Sequence, residues 1–207
     1  MGYVFGTSSC TMTTTEKSVF VPGVWGPYYS AMVPNSWLIE GGQSAAGAAI
    51  DQLLKFHPAR SSAVNLANES SKTLLDWLAD SAVKKTATVS ETVYLAKRLH
   101  IIPEFLGNRA PFANPNTRAV IVGLGMEDDI DNLIALYVAG ICGIGYGLRQ
   151  IIQVQSTAGA PVKMIAISGG AGRSPFIRQI LADTSGIDVL ATVSDEPVLL
   201  GSAILGA

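Results

Sequence analysis

The chain has 207 residues, a formal net charge of −2, 48% hydrophobic residues and 14% charged ones. That composition excludes a disordered segment, and a near-neutral balance without a lysine or arginine run excludes the electrostatic footprint of a nucleic-acid binder. Cys10 and Cys142 lie far apart with no cysteine beside either, so neither a zinc site nor a disulfide framework is indicated; reduced thiols in a cytoplasmic protein are expected.

Residues 1–6 read as a strand rather than as a signal peptide, since they lack a basic start and a long apolar run. Tyr3-Val4-Phe5 leads into Gly6-Thr7-Ser8-Ser9, and residues 10–14 read as a second strand paired across that turn. The result is a hairpin with a small, hydroxyl-rich tip. Residues 19–33 carry Pro, Gly, Trp and Tyr without a clear period and are expected to be an ordered loop, whereas Trp37-Leu38-Ile39-Glu40 reads as a third strand. Gly41-Gly42-Gln43-Ser44 then opens a helix in which Ala45, Ala48, Ala49, Leu53 and Phe56 recur at helical spacing up to Pro58.

Leu74, Leu75, Leu78 and Val83 predict one amphipathic helix over residues 68–85, and residues 92–99 permit a strand at their end. Gly107-Asn108-Arg109-Ala110-Pro111 sits in a turn-dense stretch, residues 103–115, of the kind that carries functional loops. A long helix over about residues 127–155 follows. Its segment 133–148 holds no charged residue, yet it is shorter than the roughly 20 apolar residues a membrane span needs and is broken by Gly140, Gly143, Gly145 and Gly147. A buried helix is expected there, and no membrane association.

The end of the chain alternates: strand 162–167, helix 174–183, strand 187–191, helix 196–205. Between the first two lies Ser168-Gly169-Gly170-Ala171-Gly172-Arg173-Ser174-Pro175. Three glycines remove the Cβ atoms that would hold a ligand off the backbone, and the next helix turns its unpaired N–H groups toward the turn. Ser174 suits the N-cap and Pro175 the first helical position. The same residues also make an ordinary strand-to-helix turn, so they point to a nucleotide cradle only in company. Antiparallel strands followed by alternating strands and helices are the layout of a ribonuclease-H-like half, as in the actin, hexokinase and sugar-kinase superfamily: an α/β fold with a mixed sheet flanked by helices.

Taken together, Gly6-Thr7-Ser8-Ser9, the run from Glu40 through Gly47 to Ala49, Gly107-Asn108-Arg109 and the Ser168 to Pro175 turn resemble the C-terminal domain of FGGY-family carbohydrate kinases, in particular the ribulokinase-like branch. The resemblance covers practically the whole chain. It implies ATP-dependent phosphorylation of a ketopentose such as ribulose, or of a related polyol, with Mg²⁺ as the usual companion of ATP. It also implies that the hairpin tip Gly6-Thr7 is a phosphate-binding loop and that Gly169, Gly170 and Ala171 contact adenosine. The glycerol kinase pattern places Thr7, Gly47, Asp51, Gly170 and Ser174 at nucleotide-contacting positions, although Asp51 stands where glycerol kinases have Gln and Ser174 where they have Asn.

Each of these residues also has a structural reading. Gly47 serves either ligand approach or helix packing, and Asp51, one turn later on the same face, is either a ligand contact or a solvated carboxylate. Glu40 holds a magnesium-bound water or caps the helix after it. Arg109 steers an anionic group or braces its loop. His57 and His100 lack partners close in sequence and receive no catalytic role.

In the resembled family the catalytic aspartate and the sugar-binding residues lie upstream of this hairpin. Residues 1–207 are therefore expected to be most of a C-terminal nucleotide-binding domain with an insertion at about residues 58–126, to meet the sugar through an N-terminal domain outside this chain, to be inactive alone, and to expose apolar surface that favours self-association, a homodimer being one form of it. A non-catalytic nucleotide- or sugar-sensing module of the same fold is the alternative. A dinucleotide oxidoreductase is disfavoured because no Gly-x-Gly-x-x-Gly turn follows the first strand.

Overall fold

The computed structural model describes residues 1–194 and 196–207. Four strands come first, β1 (Gly2–Phe5), β2 (Ser9–Thr15), β3 (Trp25–Tyr29) and β4 (Trp37–Gln43), followed by helices α1 (Gly47–Lys55), α2 (Arg60–Glu69) and α3 (Leu74–Val83). A 3-10 turn over Ser90–Ala96 leads to the short strands β5 (His100–Ile102) and β6 (Val120–Val122). The rest is α4 (Ile130–Thr157), β7 (Met164–Ser168), a 3-10 turn over Gly170–Arg173, α5 (Pro175–Ser185), β8 (Asp188–Ala191) and α6 (Pro197–Gly206).

Six strands form one mixed sheet in the order β3-β4-β2-β1-β7-β8. β1 pairs antiparallel with β2 and parallel with β7, so the hairpin and the later strand–turn–helix unit end side by side at one edge of the molecule. Alternation decides which face is covered: Tyr3, Phe5, Ile39, Ile165 and Ile167 are buried, while Met164, Ala166 and Leu190 on the opposite face are exposed. α4 is the central core helix, with Leu133, Ile134, Leu136, Val138, Ile141, Ile144 and Leu148 each at most 1% exposed. Burying side chains of this size stabilises by about 1.5–3 kcal/mol each. By length and composition alone α4 could cross a membrane, but 72% of its most apolar window is buried within the protein, as a core helix requires.

The ribonuclease-H-like order and the buried long helix are as expected. Four details differ. Residues 19–33 contain β3, whose Trp and Tyr side chains favour extended structure; Pro27 is tolerated because β3 is the sheet's edge strand. Tyr29 packs on Trp37 of the neighbouring strand, with ring centroids 5.0 Å apart. The helix expected over 68–85 is the shorter α3, capped by Thr73; residues 68–69 end α2, a helix the sequence reading did not include, and Ser71 between the two takes a left-handed φ of 54°. Residues 41–43 continue β4, and α1 begins only at Gly47. The strand allowed within 92–99 is a 3-10 turn, with β5 starting just after it. The stretch expected to be an insertion thus includes α2 and α3, which pack on α4, and β5, which lies across α4 at Gly143.

Candidate nucleotide site

The hairpin tip is pinned by backbone alone. Ala46 N–H and Ala48 N–H donate to the Thr7 carbonyl at 2.9 and 3.1 Å, and Gly47 N–H donates to the Gly6 carbonyl at 2.9 Å. The start of α1, which has no side-chain cap, is therefore capped by the hairpin. In a planar trans peptide the N–H opposes the C=O, so the Thr7 and Ser8 amides point away from α1. Thr7 itself is exposed. A hydroxyl and outward amides on one tip are the chemistry that accepts phosphate oxygens.

The second wall is the glycine turn after β7. Gly169, at φ 89°, lies so close to β1 that a Cβ would come within 2.5 Å of the Phe5 carbonyl oxygen. Ser174 caps α5 by accepting from Ile177 N–H at 3.4 Å, with Pro175 next, as the residue order leads one to expect. A Cβ on Gly170 would meet no atom within 4 Å. The backbone there is open to whatever fills the space in front of it.

That space is a cavity of about 460 Å³, whose walls include Gly6, Thr7, Gly47, Asp51, Gly170, Ala171 and Ser174. Seven of the eight sequence-predicted site residues thus meet at one site. Gly169 does not line it and lies behind the turn against Phe5. A second cavity of about 510 Å³ adjoins, sharing Asp76, Gly170 and Ser174 with the first and walled otherwise by the apolar Ala79, Val83, Val89, Pro175 and Phe176 and by the charged Asp80 and Arg173. One half is polar and edged by two helix N-termini, α1 and α5. The other is a slot of mixed character, in which apolar side chains stand beside the charged Asp80 and Arg173.

Sequence reasoning missed α3 as a wall. Thr73 and Asp76 line the first cavity and bond each other reciprocally, the hydroxyl donating to the carboxylate at 2.6 Å and accepting from Asp76 N–H at 3.2 Å. Thr-x-x-Asp reads in sequence only as a helix start. Tyr137 of α4 closes the floor, stacked on Phe176 with centroids 5.8 Å apart, and burial, with the negative charge of Asp76 second, raises its phenol above the ordinary range.

The structure also places Glu40, Arg109 and His57, the second in one of the two roles expected of it. Glu40 does not cap α1; it lies within β4 and pairs with Arg109 at 3.2 Å. Arg109 also donates to Cys10 Sγ at 3.4 Å and lies over the Trp25 ring at 4.5 Å, so it braces its loop against three strands. His57 is buried and does have partners: its Nδ1 accepts from Ala59 N–H at 3.2 Å and its Nε2 bonds Asn132 Oδ1 at 3.1 Å. Cys10 and Cys142 are both free thiols.

The six-stranded order with helices packed on its buried face defines the class, one half of an actin/hexokinase-like fold. Known structures agree. The Plasmodium falciparum glycerol kinase structure with ADP matches with a TM-score of 0.69 at 20% identity over 99% of this chain and 37% of that one. The gluconate kinase of Lactobacillus acidophilus gives 0.69 at 19% over the same shares. The family model for the C-terminal domain of the FGGY family of carbohydrate kinases matches residues 1–207, and the chain belongs to that family. It is 41% identical over 209 residues to an FGGY carbohydrate kinase domain-containing protein of Xenopus laevis, spanning all of this chain and 38% of the relative. It is 38% identical over 208 residues to the D-ribulokinase of Saccharomyces cerevisiae, spanning 99% of this chain and 29% of that protein. The chain therefore spans 29–38% of the length of these two relatives.

Proposed function

We propose that this chain is the nucleotide-holding part of an ATP-dependent carbohydrate kinase acting on a ketopentose such as ribulose or a related polyol. The carrying observation is the cavity shared by the hairpin tip, the start of α1 and the Gly170 to Ser174 turn. In this reading Thr7 and the outward amides of the tip bind the terminal phosphates. Gly170 and Ala171 let the nucleoside lie on backbone, and the slot between α3 and α5 takes the base, with Ala79, Val83, Val89 and Phe176 as its apolar walls and Asp80 and Arg173 as its polar ones. Gly47 acts through packing: a Cβ there would come within 2.8 Å of the Gly6 carbonyl and push the tip off the helix that holds it.

The residues present fit a nucleotide that arrives with its own cation. Asp51 and Asp76 put two carboxylates on the cavity wall, which would repel a bare polyphosphate. No group of three or more His, Cys, Asp or Glu side chains among the described residues could hold a metal ion by itself. Asp51, beside the tip on the exposed side of α1, is the residue placed to share a Mg²⁺ with the phosphates. Bound Mg²⁺ would neutralise charge on the transferred group.

Gly170→Val tests the site. Open space around that Cβ predicts a folded variant, while the added side chain occupies the cavity. Calorimetry should show ADP affinity falling at least about tenfold, a loss of roughly 1.4 kcal/mol, with an unchanged circular dichroism spectrum. Unchanged ADP affinity in the folded variant would remove the site.

A further inference from the structure

Tyr3 and Tyr137 are each only 1% exposed, and their hydroxyls are placed differently. Tyr3 donates to Gln43 Oε1 at 3.2 Å. The Tyr137 hydroxyl has no hydrogen-bond partner among the described residues. A buried phenol in that state is an exception, since buried polar groups are almost always paired and a tyrosine hydroxyl normally meets a partner. Nor is the oxygen shut inside protein. Among the described residues, the sealed side-chain polar atoms without a partner are Thr11 Oγ1, Arg60 Nε, Arg109 Nε and Gln155 Nε2. The Tyr137 hydroxyl is not one of them, so it reaches open space, and the cavity that Tyr137 lines is the nucleotide cavity.

Its place along that cavity follows from its neighbours. Asp76, Gly170 and Ser174 line both the polar cavity and the adjoining slot, so they mark the waist where the two join. The charge of Asp76 reaches the Tyr137 oxygen and, after burial, is the second reason that the phenol keeps its proton. The Tyr137 ring stacks on Phe176, a wall of the slot, with the two planes 14° apart, which holds the hydroxyl in one direction. In the Asp76 carboxylate, Oδ2 accepts from the Thr73 hydroxyl while Oδ1 has no partner among the described residues. A lone donor and a lone acceptor thus stand near each other at the waist.

We propose that Tyr137 and Asp76 bind the ribose hydroxyls of the nucleotide, the phenol donating to one and the free carboxylate oxygen accepting from the other. The inference rests on the nucleotide reading above: with the phosphates on the hairpin tip and the base in the slot, the sugar between them passes the waist. Chemistry selects the sugar over the nearest phosphate. An ionised carboxylate only accepts hydrogen bonds and repels phosphoryl oxygens, whereas each hydroxyl of a ribose can both donate and accept. Tyr137 and Asp76 therefore make the site distinguish a ribonucleotide from its deoxy analogues.

Calorimetry on the full chain with ADP, 2′-deoxy-ADP and 3′-deoxy-ADP, each with Mg²⁺, tests this. At least one deoxy analogue should bind about three- to tenfold more weakly than ADP, the worth of one hydrogen bond. Tyr137→Phe should lose a similar factor for ADP, and for at least one analogue the gap to ADP should close. Without nucleotide, Tyr137→Phe should melt at or above the parent chain, because the oxygen it removes bonds no protein group. Equal affinity of the parent for all three nucleotides would overturn the assignment. So would an equal loss for all three in the variant, an unchanged ADP affinity, or a lowered melting temperature without nucleotide. A parent chain that binds no ADP removes the nucleotide reading and the assignment with it, whereas ADP binding without a sugar preference removes the assignment alone.

Discussion

Gly47 and Gly170 are glycines for opposite steric reasons. A side chain at Gly47 would strike the Gly6 carbonyl, so that glycine lets two pieces of protein touch; a side chain at Gly170 would strike nothing, so that one leaves room. The sequence motif cannot separate the two, since both appear only as glycine near a turn. Cys142 is legible in neither way. It is 7% exposed on α4, and burial, with the charge of Asp183 a smaller contribution, pushes its thiol from the ordinary 9.0 up to about 11. The sign of the consequence is definite: the unfolded chain loses this proton near pH 9 while the folded chain keeps it to about 11, so stability falls across that window. Urea unfolding of the parent chain and of Cys142→Ala should show the parent losing ground to the variant between pH 9 and 11. A difference that does not change with pH would mean that the thiol titrates alike in both states.

At the scale of elements, the long-range ties are what the sequence hides. Regular alternation in β1 and β7, a 28-residue apolar helix and a Ser-Pro helix start are local patterns, and each is legible in the order of the residues themselves. β3 is not, because a two-faced edge strand half open to water has no alternation to show, and its pattern of exposure bears that out. Nor is the break after α2, where a serine rather than a glycine takes the left-handed turn. The Glu40–Arg109 pair spans 69 positions and the His57–Asn132 pair 75, beyond any motif. The second of these fixes the end of α1 against the beginning of α4, and α1 in turn holds the hairpin tip. His57→Ala leaves the buried Ala59 N–H and the half-buried Asn132 amide short of partners, at a cost of about 1–3 kcal/mol. The urea midpoint should fall accordingly; a shift within experimental scatter would show that water replaces the ring.

For the whole molecule, the two cavities divide the work of α4. One face floors the proposed nucleotide site through Tyr137, and the opposite face, with Cys142 and Tyr146, lines a separate cavity of about 810 Å³ against β5 and β6. Neither carboxylate on the wall of the proposed nucleotide site is placed as a base. Phosphoryl transfer to a sugar needs a carboxylate free to take the hydroxyl proton, held within hydrogen-bond reach of it. Of the two carboxylates on the cavity wall, Asp76 is engaged by the Thr73 hydroxyl at the start of α3, and Asp51 is exposed beside the phosphate end, where it suits a cation better than a sugar. The chain spans 38% and 29% of the two relatives compared, and we place the base and the sugar contacts in the part of their length that it does not span. The chain alone should therefore bind ADP and ATP yet release no ADP in response to ribulose, xylulose or glycerol in a coupled assay. Sugar-dependent turnover that survives Asp51→Asn and Asp76→Asn would show a base elsewhere in these 207 residues; turnover abolished by Asp51→Asn alone would make Asp51 that base.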